Sequence, residues 1–448
     1  MKSKLKLLLS FLSGLIFYMP GYSQENLKFS LEEAQDYAAT HSYVVINSDL
    51  DIAKAQKKVW ETIAMGLPQV NGTGSYMSFL NLPVSLIPGE FFGEEPGTYI
   101  PVKFGQDYSS DFGFSVDQLI FDGSYIVGVG SAQIYLQMAR QTKEKTEIDI
   151  RNAVAQSYYM VLVARENRRV MQENLANSQK LLNDTKALFE NGFVEEQDVE
   201  QMQLMVKNSE NQVLKAEREI RVSEIVLKFA MGVDMETDIE LTDSLEKHLN
   251  PLISGNGTGN GFDYTSHIDY RMLGTQKQIS EKLLNLEKAA YLPSLDGFYN
   301  WTKTAYGNDA NLFKSQVPWF KSSYVGLRLS VPIFNGGMKS AKVKQARLDL
   351  EKVANNQKLA EQNLQKDYLS AVADMENAVA QYANNVDNKE LAKRIYGKTT
   401  VKYENGLSGS TELAQNESQY IQAQGAFINS VIQLLNAKIN LDKAIGKY

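Results

Sequence analysis

The chain is written twice. Ile120-Phe121-Asp122-Gly123-Ser124 is answered 213 positions later by Ile333-Phe334-Asn335-Gly336-Gly337. Phe189-Glu190-Asn191-Gly192 is answered 214 positions later by Tyr403-Glu404-Asn405-Gly406, and Phe229-Ala230-Met231-Gly232 by Lys443-Ala444-Ile445-Gly446 at the same spacing. Upstream, Gly66-Leu67-Pro68 precedes Tyr291-Leu292-Pro293 by 225 positions. Four landmarks in one order, with a nearly constant offset over the last three, are hard to obtain by chance, and a repeat of this kind restricts the fold to solutions that can be built twice. The boundaries that follow are a first repeat over residues 24–254, a linker over 255–261 and a second repeat over 262–448.

Each repeat has the same grammar. A helical stretch (31–64; 270–290) runs into the Leu-Pro pair, because proline disfavours helix at the residue before it. Two strand-like segments follow, separated by an irregular loop. The Phe-Asp/Asn-Gly turn then opens a very long helix over 124–190 and again over 338–403, and the Asn-Gly turn leads to return helices over 195–230 and 410–444. Along the second long helix Val353, Ala360, Leu364, Tyr368, Ala371, Met375, Ala378, Tyr382 and Val386 recur at helical spacing and build one apolar stripe. A helix of about 65 residues is roughly 100 Å long, too long for a compact 200-residue domain. An isolated coiled coil would explain the stripe but not the strands.

The strands alternate. Val325, Leu327, Leu329 and Val331 point one way and Tyr324, Gly326, Arg328 and Ser330 the other. Phe112, Phe114 and Val116 alternate with Asp111, Gly113, Ser115 and Asp117, and Leu295, Tyr299 and Trp301 with Asp296, Asn300 and Thr302. Transmembrane β-barrels read this way, apolar outside and polar inside with aromatics near the ends. A soluble sandwich alternates equally well. Two repeats supply only four strands, whereas the smallest bacterial barrels have eight and a barrel loses its free edges only on closure. One chain therefore cannot make a pore. Eight strands from two chains would be plugged by side chains, while twelve from three leave a lumen, which favours a homotrimer.

Composition removes competing classes. The 448 residues carry a net charge of -7, without the basic face that a nucleic-acid partner needs. There is no cysteine, which removes disulfides, thiolate metal sites and a cysteine nucleophile. His41, His248 and His267, the three histidines, share no metal-ligand spacing, so neither a metal nor a cofactor is expected. Residues 1–23 have the layout of a secretory signal: Lys2, Lys4 and Lys6, an apolar run from Leu7 to Tyr18, then small residues Gly21 and Ser23 before the cleavage point. That run is shorter than the roughly 20 residues a membrane anchor needs. The glycine-rich 255–261 segment lacks a P-loop lysine and reads as a linker.

These landmarks resemble the TolC family of outer-membrane efflux proteins. The resemblance runs from Ser30-Leu31-Glu32-Glu33-Ala34 to Ala444-Ile445-Gly446, and its most specific piece is Leu329-Ser330-Val331-Pro332-Ile333-Phe334-Asn335-Gly336-Gly337. The Tyr403-to-Gly406 turn followed by Thr411-Glu412-Leu413 is nearly as specific. The first repeat departs by carrying Val116-Asp117-Gln118-Leu119 where the second has a proline. The resemblance implies a mixed α/β membrane protein: long helices forming an α-helical tunnel across the periplasm, and four strands per chain in a trimeric twelve-stranded barrel in the outer membrane of a Gram-negative bacterium. It implies outer-membrane lipid, a periplasmic adaptor (membrane fusion) protein and an inner-membrane transporter as partners, in drug efflux or type I secretion.

Family members close the periplasmic tip with rings of side chains. By position the rings fall on Glu412 and Gln415, with Tyr403 and Ser408 in the closing network, and Asp198 is the first-repeat counterpart of Glu412. Relatives have a second acidic residue at the Gln415 position and a basic one at the Ser408 position, so a strongly salt-bridged, cation-sensitive gate is in question here. Three Glu412 carboxylates around a narrow axis would repel one another and attract cations. Alternatively, Glu412 is a solvated first-turn residue favoured by the helix dipole.

A hydrolase displayed on the outer membrane is the rival from another class, resting on the adjacent carboxylates Glu195-Glu196 and Glu32-Glu33. Neighbours on a helix point about 100° apart, so neither pair converges on one bond and an enzyme is not expected. The non-periodic, Gly-, Pro- and aromatic-rich segments 81–107 and 305–321 are the expected extracellular loops. Because the chain has no cysteine, Gly93→Cys or Asn308→Cys should label on intact cells with an impermeant thiol reagent. Labelling only after lysis would reverse the orientation.

Overall fold

The computed structural model describes residues 27–253 and 262–447, so the expected export signal and linker lie outside the described residues. In chain order the elements are β1 (Leu27–Phe29), α1 (Leu31–His41), α2 (Tyr43–Ala64), β2 (Gln69–Ser78), β3 (Val84–Pro88), β4 (Tyr99–Lys103) and β5 (Tyr108–Asp122). Then come α3 (Gly123–Glu190), α4 (Glu196–Met231), β6 (Ile239–Leu241), α5 (Leu245–Ile253), α6 (Ile268–Ala289), β7 (Ser294–Gly307), β8 (Trp319–Ser330), α7 (Met338–Glu404) and α8 (Ser410–Ala444). Helix, paired long strands, long helix and return helix therefore occur twice in order. Among the described residues no helix is long and apolar enough to cross a membrane.

Three features differ from the sequence expectations. The helical stretch expected over 31–64 is two helices, because Ser42 takes an extended conformation (φ -62°, ψ 130°) among weak helix formers from His41 to Val45. The segment 81–107 is not irregular throughout: β3 and β4 pair antiparallel from Val84↔Lys103 to Pro88↔Tyr99, joined through a 3-10 turn at Gly89–Phe92. The short elements β1, β6 and α5 carry too few residues for a period to register.

The chain divides into two compact units. One lies within Met1–Ile46, Glu147–Phe262 and Asp367–Tyr448, and the other within Asn47–Thr146 and Asp263–Lys366. In the first, the helices bury a large main core and a smaller cluster near the hairpin tips. Val154, Tyr158 and Val161 of α3, Leu227 and Met231 of α4, Ala371, Met375 and Ala378 of α7, and Ile428, Val431 and Leu435 of α8 all face the main core at steps of three or four. Tyr368 and Tyr382 pack on its margin, so this part of the expected α7 stripe is the buried one. β1 and β6 pair in parallel, Leu27↔Ile239 to Phe29↔Leu241, at one end of this core.

The fully buried Tyr158 ties these pieces together, donating its hydroxyl to the Phe29 carbonyl at 3.0 Å and accepting from the Asp243 N–H at 3.3 Å. Asp243 in turn accepts from the Leu31 N–H at 2.9 Å, satisfying a first-turn donor of α1 that the helix itself cannot. Burial works against that carboxylate, but hydrogen bonds from Lys247 and Leu31 outweigh it and hold the Asp243 carboxyl below its ordinary range.

In the second unit the long strands form one antiparallel sheet in the order β2-β5-β7-β8. Its register puts Phe114 opposite Trp301 and Val116 opposite Tyr299, and these in turn lie opposite Ser323 and Val325. The aromatic rings meet on that face: Phe114 and Trp301 centroids are 5.6 Å apart, Phe112 and Trp301 6.0 Å. Along β8 the same face stays open, with Val325 at 80%, Leu327 at 70% and Leu329 at 64% exposure. Asp111, Ser115 and Asp117 share the other face with Thr304, Asn300 and Phe298. The expected alternation is thus realised, apolar on one face and mainly polar on the other.

Replacing Tyr158 with Phe leaves the Asp243 N–H without its acceptor, at a cost of about 1–3 kcal/mol, while the Phe29 carbonyl keeps the Thr242 N–H at 3.0 Å. The unfolding midpoint in detergent should fall accordingly. An unchanged midpoint would show that water replaces the hydroxyl.

Candidate functional site

Both helical hairpins reverse through the same local geometry. In the first turn the Gly192 N–H donates to the Phe189 carbonyl at 2.9 Å and the Phe193 N–H to the Leu188 carbonyl at 2.9 Å. In the second, the Gly406 N–H donates to Tyr403 at 2.9 Å and the Leu407 N–H to Lys402 at 2.8 Å. Asn191 and Asn405 each donate their side-chain amide to the carbonyl four residues back, both at 2.7 Å. These are helix ends closed by a left-handed glycine, φ 76° at Gly192 and 71° at Gly406, a conformation that L side chains resist.

The residues expected to close the tip fall into two groups within one chain. Tyr403 is buried with Leu181, Met202, Met205 and Leu413, and its hydroxyl lies 3.3 Å from Thr185 Oγ1. Burial pushes the Tyr403 phenol up, the Thr185 hydrogen bond opposes this, and the nearby Asp198 carboxylate adds to it. Asp198 itself accepts from the Glu195 N–H at 3.1 Å and so caps α4. On the exposed side, Ser408 donates to Glu412 Oε2 at 2.7 Å, across one turn at the start of α8. Gln415 is exposed on the next turn. Tyr403 and Asp198 are thus brought together, Ser408 and Glu412 are brought together, and Gln415 stands apart from both pairs.

Sequence reasoning missed a buried polar layer behind this tip. Glu417 of α8 is 7% exposed and accepts from Ser178 Oγ of α3 at 2.9 Å, with Ser209 Oγ of α4 at 3.3 Å from that same hydroxyl. Two turns along, Asn174 and Gln424 exchange amide hydrogen bonds at 2.7 and 3.3 Å. Burial pushes the Glu417 carboxyl up, and only the Ser178 hydrogen bond opposes it. The signal was available: Leu413, Glu417, Gln424, Ile428, Val431 and Leu435 step by three, four and seven, so the two polar residues occupy the buried stripe of α8.

The carboxylate pairs offered for acid-base chemistry serve helix starts. Glu33 accepts from the Ser30 N–H at 2.8 Å, and these Ser30 hydrogen bonds hold its carboxyl below the ordinary range. Glu195 occupies the N-cap of α4. The histidines are similarly dispersed, His41 stacked on Tyr37, His248 3.2 Å from Asp243, and His267 accepting from the Asp269 N–H as the cap of α6.

Long helices reversing at paired tips, with a four-stranded antiparallel sheet open at both edges, define a protein of the outer-membrane channel class. The family described as outer membrane efflux protein matches residues 45–233 and 276–447, and the chain belongs to that family. Outer membrane protein TolC of Vibrio cholerae is 24% identical over 310 residues, covering 66% of this chain and 65% of TolC. Pyoverdine export outer membrane protein OpmQ of Pseudomonas aeruginosa is 23% identical over 332 residues, covering 70% of this chain and 65% of OpmQ. Each alignment thus spans just under two thirds of the relative. The crystal structure of CusC shares the fold at a TM-score of 0.72 and 15% identity, over 93% of this chain and 92% of CusC.

The raised Glu417 pKa has a signed consequence. Below 4.5 the carboxyl is protonated in folded and unfolded chains alike; above that, only the unfolded chain ionises freely, so stability is lost as pH rises toward the elevated native value. Glu417→Gln should match the parent near pH 4 and exceed it in thermal midpoint near pH 8. Equal midpoints at both pH values would mean that water reaches the carboxylate.

Proposed function

We propose that the chain is one subunit of an outer-membrane channel that passes substrates from a periplasmic adaptor and an inner-membrane transporter to the cell exterior. Three copies contribute four strands each to a twelve-stranded barrel, and their helices form a periplasmic tunnel. The observation that carries this is the sheet β2-β5-β7-β8, which has an apolar aromatic face, a mainly polar face and two unpaired edges in one chain. Such a sheet fits lipid only if it closes, and four strands cannot close alone. The same register in both strand pairs supports the reading of two repeats over 24–254 and 262–448. Exposed apolar side chains on the helices, among them Val222 at 61% and Phe229 at 76%, are accounted for by neighbouring copies. Membership of the outer membrane efflux family supports the location in a Gram-negative outer membrane and a transport role without catalysis.

The paired tips form the periplasmic end, and the exposed Glu412 carboxylates, each steadied by Ser408, make the narrowest ring. Asp198 serves helix capping and the Tyr403 environment and stays off the axis. In planar bilayers Glu412→Ala should raise conductance and weaken divalent-cation block, Asp198→Ala should do less, and Gln415→Glu should strengthen block. Unchanged conductance and block in Glu412→Ala would put the constriction elsewhere, and a stable monomer by native mass measurement would sink the channel reading itself.

A further inference from the structure

The internal repeat does more than suggest a second copy at the open edges; it specifies how that copy pairs. Shifting β2 by 225 positions and β5 by 213 turns Gln69↔Asp117 into Ser294↔Ser330 and Ser78↔Tyr108 into Lys303↔Lys321, which are the pairs that β7 and β8 make. The repeat is therefore faithful to the residue in its strand register. The seam between repeats, β5 against β7, pairs Phe114↔Trp301, Ser115↔Asn300 and Val116↔Tyr299. The same shifts carry that seam onto β8 of one copy and β2 of the next.

Resting on the channel reading above, we infer that β8 pairs antiparallel with the partner's β2 so that Leu327 lies opposite the partner's Tyr76, Arg328 opposite the partner's Ser75 and Leu329 opposite the partner's Gly74.

Three independent features of the chain agree with this register. The first is face. Leu327 and Tyr76 both belong to the apolar face, whereas Arg328 and Ser75 belong to the polar one, and a slip of one residue would mix them. The second is charge. Ser75 hydrogen-bonds the Asp111 carboxylate on the next strand, so Arg328, which lies over the Phe298 ring at 5.0 Å, would gain a carboxylate one strand beyond its partner.

The third is a close fit at the strand-to-helix passage. A Cβ on Gly123 would come within 2.6 Å of Leu292 Cδ1 and 3.1 Å of the Ala289 carbonyl oxygen, so the seam between repeats packs tightly against this glycine. The shifts convert Gly123 to Gly336, Leu292 to Leu67 and Ala289 to Ala64, and the residue type is retained at all three. In one chain a Cβ on Gly336 would meet nothing within 4 Å, its φ of 62° already favouring glycine, and Ile333 and Phe334 beside it are 93% and 89% exposed. Their counterparts Ile120 and Phe121, at the seam between repeats, are less exposed, at 53% and 39%. The β5–β7 register shifts between Leu119 and Phe121, and Pro332 falls at the Leu119 position of this bulge, a place where a strand tolerates proline.

The absence of native cysteine makes the register directly readable. Leu327→Cys with Tyr76→Cys places two thiols on directly opposed residues, within disulfide reach, whereas Leu327→Cys with Gly74→Cys sets them on a diagonal beyond it. Oxidation in isolated outer membranes should give at least ~5-fold more covalently linked chains for the first pair than for the second or for Leu327→Cys alone, with a ladder ending at three copies. Equal or greater linkage of the diagonal pair overturns the register. So does no linkage in a protein that native mass measurement finds trimeric, an outcome that leaves the channel reading intact. A monomer by mass removes both.

Discussion

Backbone hydrogen bonding at the sheet edges is the constraint on which the rest depends. Among the described residues, β2 and β8 each present an outer edge that pairs with no further strand of the sheet. In water such an edge invites aggregation; in hydrocarbon each unsatisfied group costs several kcal/mol. The aromatic face of β5 and β7 and the exposed Val325, Leu327 and Leu329 suit hydrocarbon contact and little else. In the proposed channel, closure with further copies answers both demands and gives the strand register of the repeat its importance. A duplicated hairpin whose internal seam already works can reuse that seam between chains without a new set of contacts.

The helical unit follows a different logic. Its main core is built from apolar side chains drawn chiefly from the four long helices, but the layer behind the tips is polar and contains a carboxyl with one hydroxyl partner. Such a layer adds little stability, since burying Glu417 raises its pKa and costs free energy at neutral pH. What it supplies is alignment. Glu417 meets Ser178, and Gln424 meets Asn174, only when α8 sits at one height against α3, whereas the apolar residues above would tolerate sliding by a turn. The tips that carry Tyr403, Asp198 and Glu412 inherit their placement from that alignment. Tyr403 anchors the turn into the core, and Glu412 is left facing solvent.

How much of this was legible in the sequence varies with the range of the interaction. The bounds of α8 agree with the periodicity, and those of α3, α4 and α7 agree to within a residue, because a long apolar stripe and a glycine-closed end are local signals. The break at Ser42, the β3–β4 ribbon and the β1–β6 pair were not legible, since each depends on a partner distant in sequence or on a segment too short to show a period. Among the proposed tip residues, the sequence located Glu412 at a helix start and Tyr403 before a turn. It could not separate the buried Tyr403, with the half-buried Asp198 near it, from the exposed Ser408–Glu412 pair, because burial is a property of packing between helices.

By itself the sequence determined the doubled element order, the faces of the strands, the long helices with their reversals, and the insufficiency of four strands. These follow from side-chain period, from the φ that only glycine adopts readily, and from counting. Tertiary structure alone decided the strand order β2-β5-β7-β8 and which edges remain open, since hydrogen bonding between strands leaves no mark on either strand's own pattern. It also decided that Glu417 is a core residue and Glu412 a surface one. Both are glutamates five positions apart on one helix, and only the presence of α3 against one side of α8 distinguishes them.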